Sequence, residues 1–434
     1  MRILFISNDL IAGHLAQLLR NEGHDVLLYI SEKKRRNNFK NLVSKTNNWK
    51  KSLSWVGKEG LIIFDDIGFG EEQDTLRAQG YRVFGGSKLG DKLEIDRAYA
   101  QDIFEKSGIQ KIPTVNFDTI DAAINYAKLN KNAWVIKQNG SSSKSLNFVG
   151  HFPDSRDIID VLERYKILGL GKKEIITLQK RVYGIEIAIT RYFNGTHWVG
   201  PSLINIEHKR FFPGDIGPTT SEMGTLGWYD YDENNKLHQA TLKKLESHLK
   251  EINYRGCIDI NCIVDEDKVY PLEVTARIGS PIIHLQSELN ITPWSDLISA
   301  IADGKDFDVK VKDGFGIVVV VALPPFPYSK YIKEQSSIGS RVYFEEFSED
   351  DFKHIHFEEI AWNKKEKVHY ISDNRGYVLY VTGQSTTVPE VQEKTYDLIK
   401  RIHIPKMFYR NDIGLRFNNE QKALLQKWGY LKII

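Results

Sequence analysis

The chain has 434 residues, 59 of them basic and 57 acidic, for a net charge of +2. That balance excludes a protein that grips nucleic acid through its bulk charge, so an anionic ligand has to be met by a local pocket. No apolar run reaches membrane-spanning length, and the longest, 316–324, suits a buried strand. With 41% hydrophobic and 27% charged residues the chain reads as an ordinary globular protein, of a length that suggests about three domains.

The amino end enters a strand at once, 2–7, and lacks the layout of a signal peptide. A helix at 11–21, a strand at 26–30, a polar stretch to about residue 58, a strand at 61–64, a helix at 71–79 and a strand at 81–84 follow. This rhythm predicts a doubly wound, mostly parallel sheet. Ligands of such sheets bind at the carboxyl ends of the strands, here near 7–10 and 65–70. The first turn has no G-x-G-x-x-G, which disfavours a dinucleotide. The basic run Lys33, Lys34, Arg35 and Arg36 reads as a solvated loop.

Residues 89–106 read as one helix carrying Arg97. A second α/β block follows: helix 120–129, strand 134–137 with Lys137, loop 138–144 and strand 146–150. Small residues between two strands let backbone N–H groups line a phosphate, with Lys137 and Lys144 supplying charge; a polar hairpin turn is the alternative. Helix 157–165 and strand 175–180 lead to a Gly turn and strand 185–191. Glu186 there suits a ribose hydroxyl pair or a surface charge. Residues 207–224 have no regular period and read as a long functional loop. Lys209 and Arg210 beside Asp215 suit a carboxylate substrate and its amine partner. Helix 237–251 comes next.

Strands 257–264 and 268–275 form a hairpin. Alternation places Asp259 and Asn261 on one face of the first, and Glu273 and Thr275 on one face of the second. Folding brings Asp259 beside Glu273, with Arg277 just beyond. Two carboxylates in apolar strands suit a magnesium ion, which takes few carboxylates and completes its shell with water and phosphate; a half-exposed charged hairpin is the alternative. The only cysteines, Cys257 and Cys262, are five apart and face opposite ways, so reduced thiols in a cytoplasmic protein are expected. The tail, from about 310, reads as a small α+β domain with strands 317–322, 341–344, 368–372 and 378–382 and helix 389–402; residues 409–414 read as a surface turn.

Taken together these motifs resemble an ATP-grasp protein, and within that superfamily the phosphoribosylamine–glycine ligase (glycinamide ribonucleotide synthetase) family. Glu207-His208-Lys209-Arg210 with Gly214-Asp215-Ile216-Gly217-Pro218 and Met223-Gly224 is similar to the family's Asp-His-Lys-Arg and Gly-Asp-x-Gly-Pro loop. Glu273-Val274-Thr275-Ala276-Arg277-Ile278-Gly279 resembles its Glu-Phe-Asn-Ala-Arg-Phe-Gly segment, and 408–416 its carboxyl-terminal signature. The likeness spans nearly the whole chain.

The resemblance implies an ATP-grasp fold with segments 1–108, 109–308 and 309–434, the last a small α+β domain. It implies a ligase that joins an amino-acid carboxylate to an amine, phosphoribosylamine among the candidates, through an acyl phosphate. ATP would meet Arg97, Lys137, Gly140, Ser141, Ser142, Ser143 and Lys144 at its phosphates, and Gln179, Lys180, Val182 and Glu186 at adenine and ribose. Magnesium or manganese would sit on Asp259, Glu273 and Thr275. Arg277, Lys209, Arg210, Asp215, Thr220 and Gly279 would form the catalytic set. A cytoplasmic monomer or homodimer is expected, with no nucleic-acid or membrane partner. The sequence departs from the family at Ser7–His14, Thr219–Glu222, Thr275, Ser280 and Ile282. Those departures keep open a sister ligase with another amino acid or amine, and an ATP-binding module without catalysis.

Overall fold

The computed structural model describes residues 1–138, 146–170, 175–328 and 336–432. They pack into two compact units. One comprises Met1–Asp91, Ile187–Asp259 and Thr275–Ile434; the other comprises Lys92–Glu186 and Ile260–Val274.

The first unit opens with the expected parallel sheet, in the order Ser44–Thr46, Asp25–Ile30, Arg2–Ser7, Leu61–Phe64, Arg82–Phe84. Its central strand is buried from Ile3 to Ser7, as a parallel strand covered on both faces must be. The first helix starts at Gly13 rather than residue 11. Leu10 has φ +61° and gives its N–H to Ser7 Oγ, a turn that continues the chain out of the strand before helix can form.

The polar stretch before residue 58 holds three short elements, Lys33–Asn37, Ser44–Thr46 and Leu53–Val56. The basic run is not a solvated loop throughout. Arg35 is 2% exposed. Its Nε donates to Asp373 (3.0 Å) and its Nη2 to Glu358 (2.7 Å) and Glu359 (3.4 Å), while Nη1 reaches Asp9. A planar fork with five N–H donors suits several carboxylates at once, which is why this position is Arg.

The same unit contains an antiparallel sheet running Ile185–Asn194, Trp198–Glu207, Gly224–Asp230, Phe315–Ala322, Tyr377–Ser385, Ile355–Phe357. All eight residues of Phe315–Ala322 are buried. Strands Ile360–Asn363, Val368–Ile371, Arg341–Phe344 and Ile402–His403 form a further sheet, so the carboxyl-terminal strands divide between two sheets. The predicted helix 237–251 is two, Lys236–Ala240 and Leu242–Glu251. Thr241 lies outside helical geometry at φ −128°, ψ −88°, with its hydroxyl turned back onto the Leu237 carbonyl.

The second unit is built on four antiparallel strands ordered Thr114–Phe117, Ile176–Lys180, Trp134–Gln138, Phe148–Val149. Helices Ile120–Leu129 and Arg156–Ile167 supply Ile124, Ile158 and Leu162 to a core with Trp134, Ile136 and Leu178. Each buried side chain of this size contributes about 1.5–3 kcal/mol. The predicted helix 89–106 is interrupted: Lys88–Ile95 ends, Asp96 is extended and accepts the Tyr99 N–H, and Arg97–Lys106 begins. An Asp that caps a new helix is a better competitor for the backbone than an Asp in a helix interior.

Candidate active site

The second unit positions the first group of residues. Lys137 stands opposite Thr177 and Gln179 opposite Thr114. Gln179 is buried and its amide donates to Thr114 Oγ1, while Lys180 is exposed and Val182 half-buried. Lys180 and Arg181 give their N–H groups to the carbonyls of Pro113 and Ala133, so the backbone runs straight from the strand into the 180–182 segment. Gly184 has φ +154°. A Cβ there would stand 2.1 Å from the Val264 carbonyl oxygen, so only glycine lets the chain pass and deliver half-buried Glu186 two residues later.

Arg97 opens its helix at the first position. Burial lowers its pKa and the charge of the Glu273 carboxylate opposes that shift. Its Nη1 is fully buried with no hydrogen-bond partner among the described residues. Buried polar groups are normally hydrogen-bonded, so this nitrogen is an exception among the described residues. The turn of the 255–275 hairpin is fixed by Asp265, whose carboxylate accepts the N–H groups of Asp267 and Lys268. Gly140, Ser141, Ser142, Ser143 and Lys144 lie outside the described residues.

In the first unit Asp259 is 5% exposed and accepts a hydrogen bond from Thr190 Oγ1. Burial raises the pKa of the neighbouring Cys257 thiol, Asp259 adds to the rise and Arg277 opposes it. The cysteine is therefore a packed thiol and no nucleophile. Both cysteines are buried. Arg277 donates to the Ile278 carbonyl and its Nε lies 3.7 Å from Asp66. Thr275 is half-buried and Gly279 buried, where a Cβ would meet Ile282 at 2.5 Å.

The 207–224 segment is not an irregular loop. Arg210–Phe212 pairs with Ile216–Thr219 as a small hairpin, with Asp215 at φ +55° near its tip. Four turn-formers hid the alternation. The side chains singled out here are engaged within the protein: Lys209 pairs with Glu207 at 3.0 Å, Arg210 donates to the Gly217 carbonyl and Thr220 to that of Lys209. Burial alone would raise Asp215, but bonds from Arg410 (2.9 Å) and Arg416 (3.3 Å) hold it below the usual carboxylate range.

Arg410, within the segment read as a surface turn, is 1% exposed. It also donates to Asp412 and to the Arg210 carbonyl, and Asp412 accepts the Gly214 N–H. His208, lowered to about 4 chiefly by burial, accepts the Gly414 N–H. The carboxyl-terminal segment is thus a brace for the hairpin. Arg410→Met should loosen residues 210–219, raising their amide exchange at least tenfold while core strands such as Phe315–Ala322 keep their protection; unchanged exchange would remove the brace.

Residues 95–282 match the family model described as phosphoribosylglycinamide synthetase, ATP-grasp (A) domain. The phosphoribosylamine–glycine ligase of Clostridium acetobutylicum is 26% identical over 375 residues, covering 83% of this chain and 84% of its own. This chain is thus similar to that family in its sequence, over the ATP-grasp segment 95–282 and along most of its length. The ligase of the same name from Halalkalibacterium halodurans is also 26% identical, over 83% of this chain and 82% of its own. The fold is that of the phosphoribosylamine–glycine ligase structure from Thermotoga maritima, with a TM-score of 0.72, 21% identity and coverage of 95% of this chain and 100% of that one. A biotin carboxylase complex from Campylobacter jejuni shares it at a TM-score of 0.63 and 12% identity, over 99% of this chain and 97% of that one. These matches fit the ATP-grasp fold expected from the sequence.

Proposed function

We propose that this protein is an ATP-dependent ligase that activates a small carboxylate as an acyl phosphate and passes it to an amine. Glycine and 5-phosphoribosylamine, the substrates named by its relatives' activity, are the first pair to test. The observation that carries the reading is Arg97, whose buried Nη1 has no partner among the described residues while the charge of Glu273 acts on the same guanidinium. A phosphate oxygen satisfies that nitrogen, and a divalent cation offsets the carboxylate beside it.

The donors Asp259, Glu273 and Thr275 are all hard oxygens and fit magnesium, with manganese the alternative ion. Among the described residues no group of three or more His, Cys, Asp or Glu converges on a metal position. That suits an ion that takes only a few protein ligands and draws the rest from phosphate and water. Held by Asp259, Glu273 and Thr275, magnesium would supply positive charge to offset that developing in phosphoryl transfer.

The residues of the chain do the rest. Arg97 and Lys137 hold phosphate oxygens, Gln179, Lys180 and Val182 border the adenine, and Glu186 takes the ribose. Thr190 donates to the Asp259 carboxylate and orients it. Arg277 steadies the transferring group, a role worth a few kcal/mol for a preorganised donor. Asp215 and Arg410 maintain the 210–219 hairpin, and Lys209, Arg210, Thr220 and Gly279 shape the backbone around the carboxylate substrate.

Hydroxylamine traps an acyl phosphate whichever amine is natural. Protein given MgATP, glycine and hydroxylamine should yield the hydroxamate and ADP, and ADP release without hydroxylamine should need glycine and phosphoribosylamine together. Release with other pairs alone replaces the substrates but keeps the ligase. A rise in Tm with ATP and no ADP from any mixture supports instead a binding module, the reading that Thr275, Ser280 and Ile282 favour.

A further inference from the structure

The net charge of +2 hides an uneven distribution. Residues 33–58 carry nine lysines and arginines and no acidic residue, so the rest of the chain is net negative. The fold gathers these cations. Segments 31–34 and 47–51 leave the carboxyl ends of the neighbouring parallel strands Asp25–Ile30 and Ser44–Thr46, so they emerge along one edge of the sheet. Between them Lys45 Nζ donates to the carbonyls of Arg36 (2.8 Å) and Asn38, tying the crossover to the edge strand. Burial lowers the Lys45 pKa to about 8 and the charge of Lys40 adds to the fall, an effect of cations held close together.

A distant part of the chain extends the patch. Phe39 N–H donates to the Ile360 carbonyl and Trp362 N–H to that of Lys40, while Asn41 Nδ2 donates to the Trp362 carbonyl, 321 residues away. The turn after Trp362 adds Lys364, Lys365 and Lys367, and its one acid, Glu366, is held by Arg341 at 2.9 Å. Lys33, Lys34, Lys40, Lys50 and Lys51 are exposed, as are Lys364 and Lys365. Among the described residues none of these seven is ion-paired with a carboxylate. Cations of one sign left together on one face set up a field that draws anions in.

The surroundings decide the kind of anion. A protein-binding face has a desolvated apolar or aromatic centre and is poor in lysine, and a membrane-surface segment buries apolar side chains besides its charge. No large apolar side chain in residues 2–88 or 360–371 is exposed. Contact with a phosphodiester backbone needs only lysine charge and small polar side chains. Asn37, Ser44, Asn47 and Asn48 stand exposed among the lysines. Trp49 is buried and Trp55 is half-buried with Arg2 over its ring at 5.8 Å, so neither indole is offered to a base. We propose that this face, from Lys33 to Lys51 with the turn at Lys364, binds the phosphodiester backbone of nucleic acid without reading its bases.

A fluorescein-labelled oligouridylate, titrated with the full-length protein and followed by anisotropy, tests this. Five phosphate contacts give a slope of log Kd against log salt of about 3.5, so binding should weaken about 100-fold between roughly 50 and 200 mM salt. Oligoadenylate should bind within about threefold of oligouridylate, since stacking adds little here. Replacing Lys33, Lys34, Lys50 and Lys51 together by alanine should lower the slope by about 2.8. Removing the same charge at Lys128, Lys353, Lys400 and Lys432, exposed lysines that pair with carboxylates elsewhere, should change it by less than about 0.5. An equal fall in both variants would make the attraction a property of net charge. Tighter binding to polyglutamate of the same length, or to phosphatidylserine vesicles, would make the face a protein or membrane site. Any of these results overturns the proposal, as does an oligouridylate anisotropy that stays flat at low salt.

Discussion

Replacing Glu273 by glutamine should lower kcat for ADP release about 100- to 1,000-fold, the range seen when one preorganised charge-stabilising group is lost. Glu273 is exposed on the strand Val269–Thr275, so the change leaves no buried hole and should shift stability by no more than about 0.5 kcal/mol. Arg97 loses the opposing charge of that carboxylate, yet keeps its buried Nη1, the group proposed to meet phosphate. ATP should therefore still bind and still raise Tm, while phosphoryl transfer fails for want of a cation ligand. Steady-state ADP release and an ATP thermal shift on the same preparation separate the two effects. Turnover at the unmodified rate would remove Glu273 from the metal site.

Arg35→Met should be strongly destabilising. It removes the one guanidinium that meets Glu358, Glu359 and Asp373, which are 7%, 0% and 5% exposed. Breaking a buried ion pair from one side costs about 3–5 kcal/mol, because the remaining charge has neither solvent nor partner. Here several are left. Lysine should not rescue the site, since one ammonium cannot reproduce bonds from Nε, Nη1 and Nη2 that diverge to four acids. Urea denaturation measures the loss, and Glu359→Gln added to Arg35→Met should recover part of it. A loss below about 1 kcal/mol, the size of an exposed pair, would mean that water reaches the cluster.

Local patterns were legible and long-range pairings were not. The strands Arg255–Val264 and Val269–Thr275 could be read because alternation at period two needs only neighbouring residues, and the Gly184 turn because a glycine there has a steric reason. Phe315–Ala322 could be read because an unbroken apolar run leaves few alternatives to burial. Arg35 could not: a basic residue in a run of four carries no mark of burial, and its partner Asp373 is 338 residues away. Arg410 failed for the same reason, its partner Asp215 being 195 residues distant. The break at Asp96 was missed because an acid that caps a helix looks, by composition, like one exposed within it. The hairpin inside 207–224 was missed because glycine and proline interrupt its alternation. The strand end at 65–70 was legible as a place where ligands of such sheets bind, but the bonds from Ser7 and Ala12 to Asp65 were not.

The wide separation of Arg35 from Asp373 also orders events at the ribosome. At about 5–20 residues per second, the arginine emerges roughly 17–68 seconds before the acid that will neutralise it. Throughout that interval the amino-terminal sheet is a nascent fragment with a cation exposed where the finished protein buries one. Closure of this seam waits for residue 373, and a chain released short of it has no means of completing it.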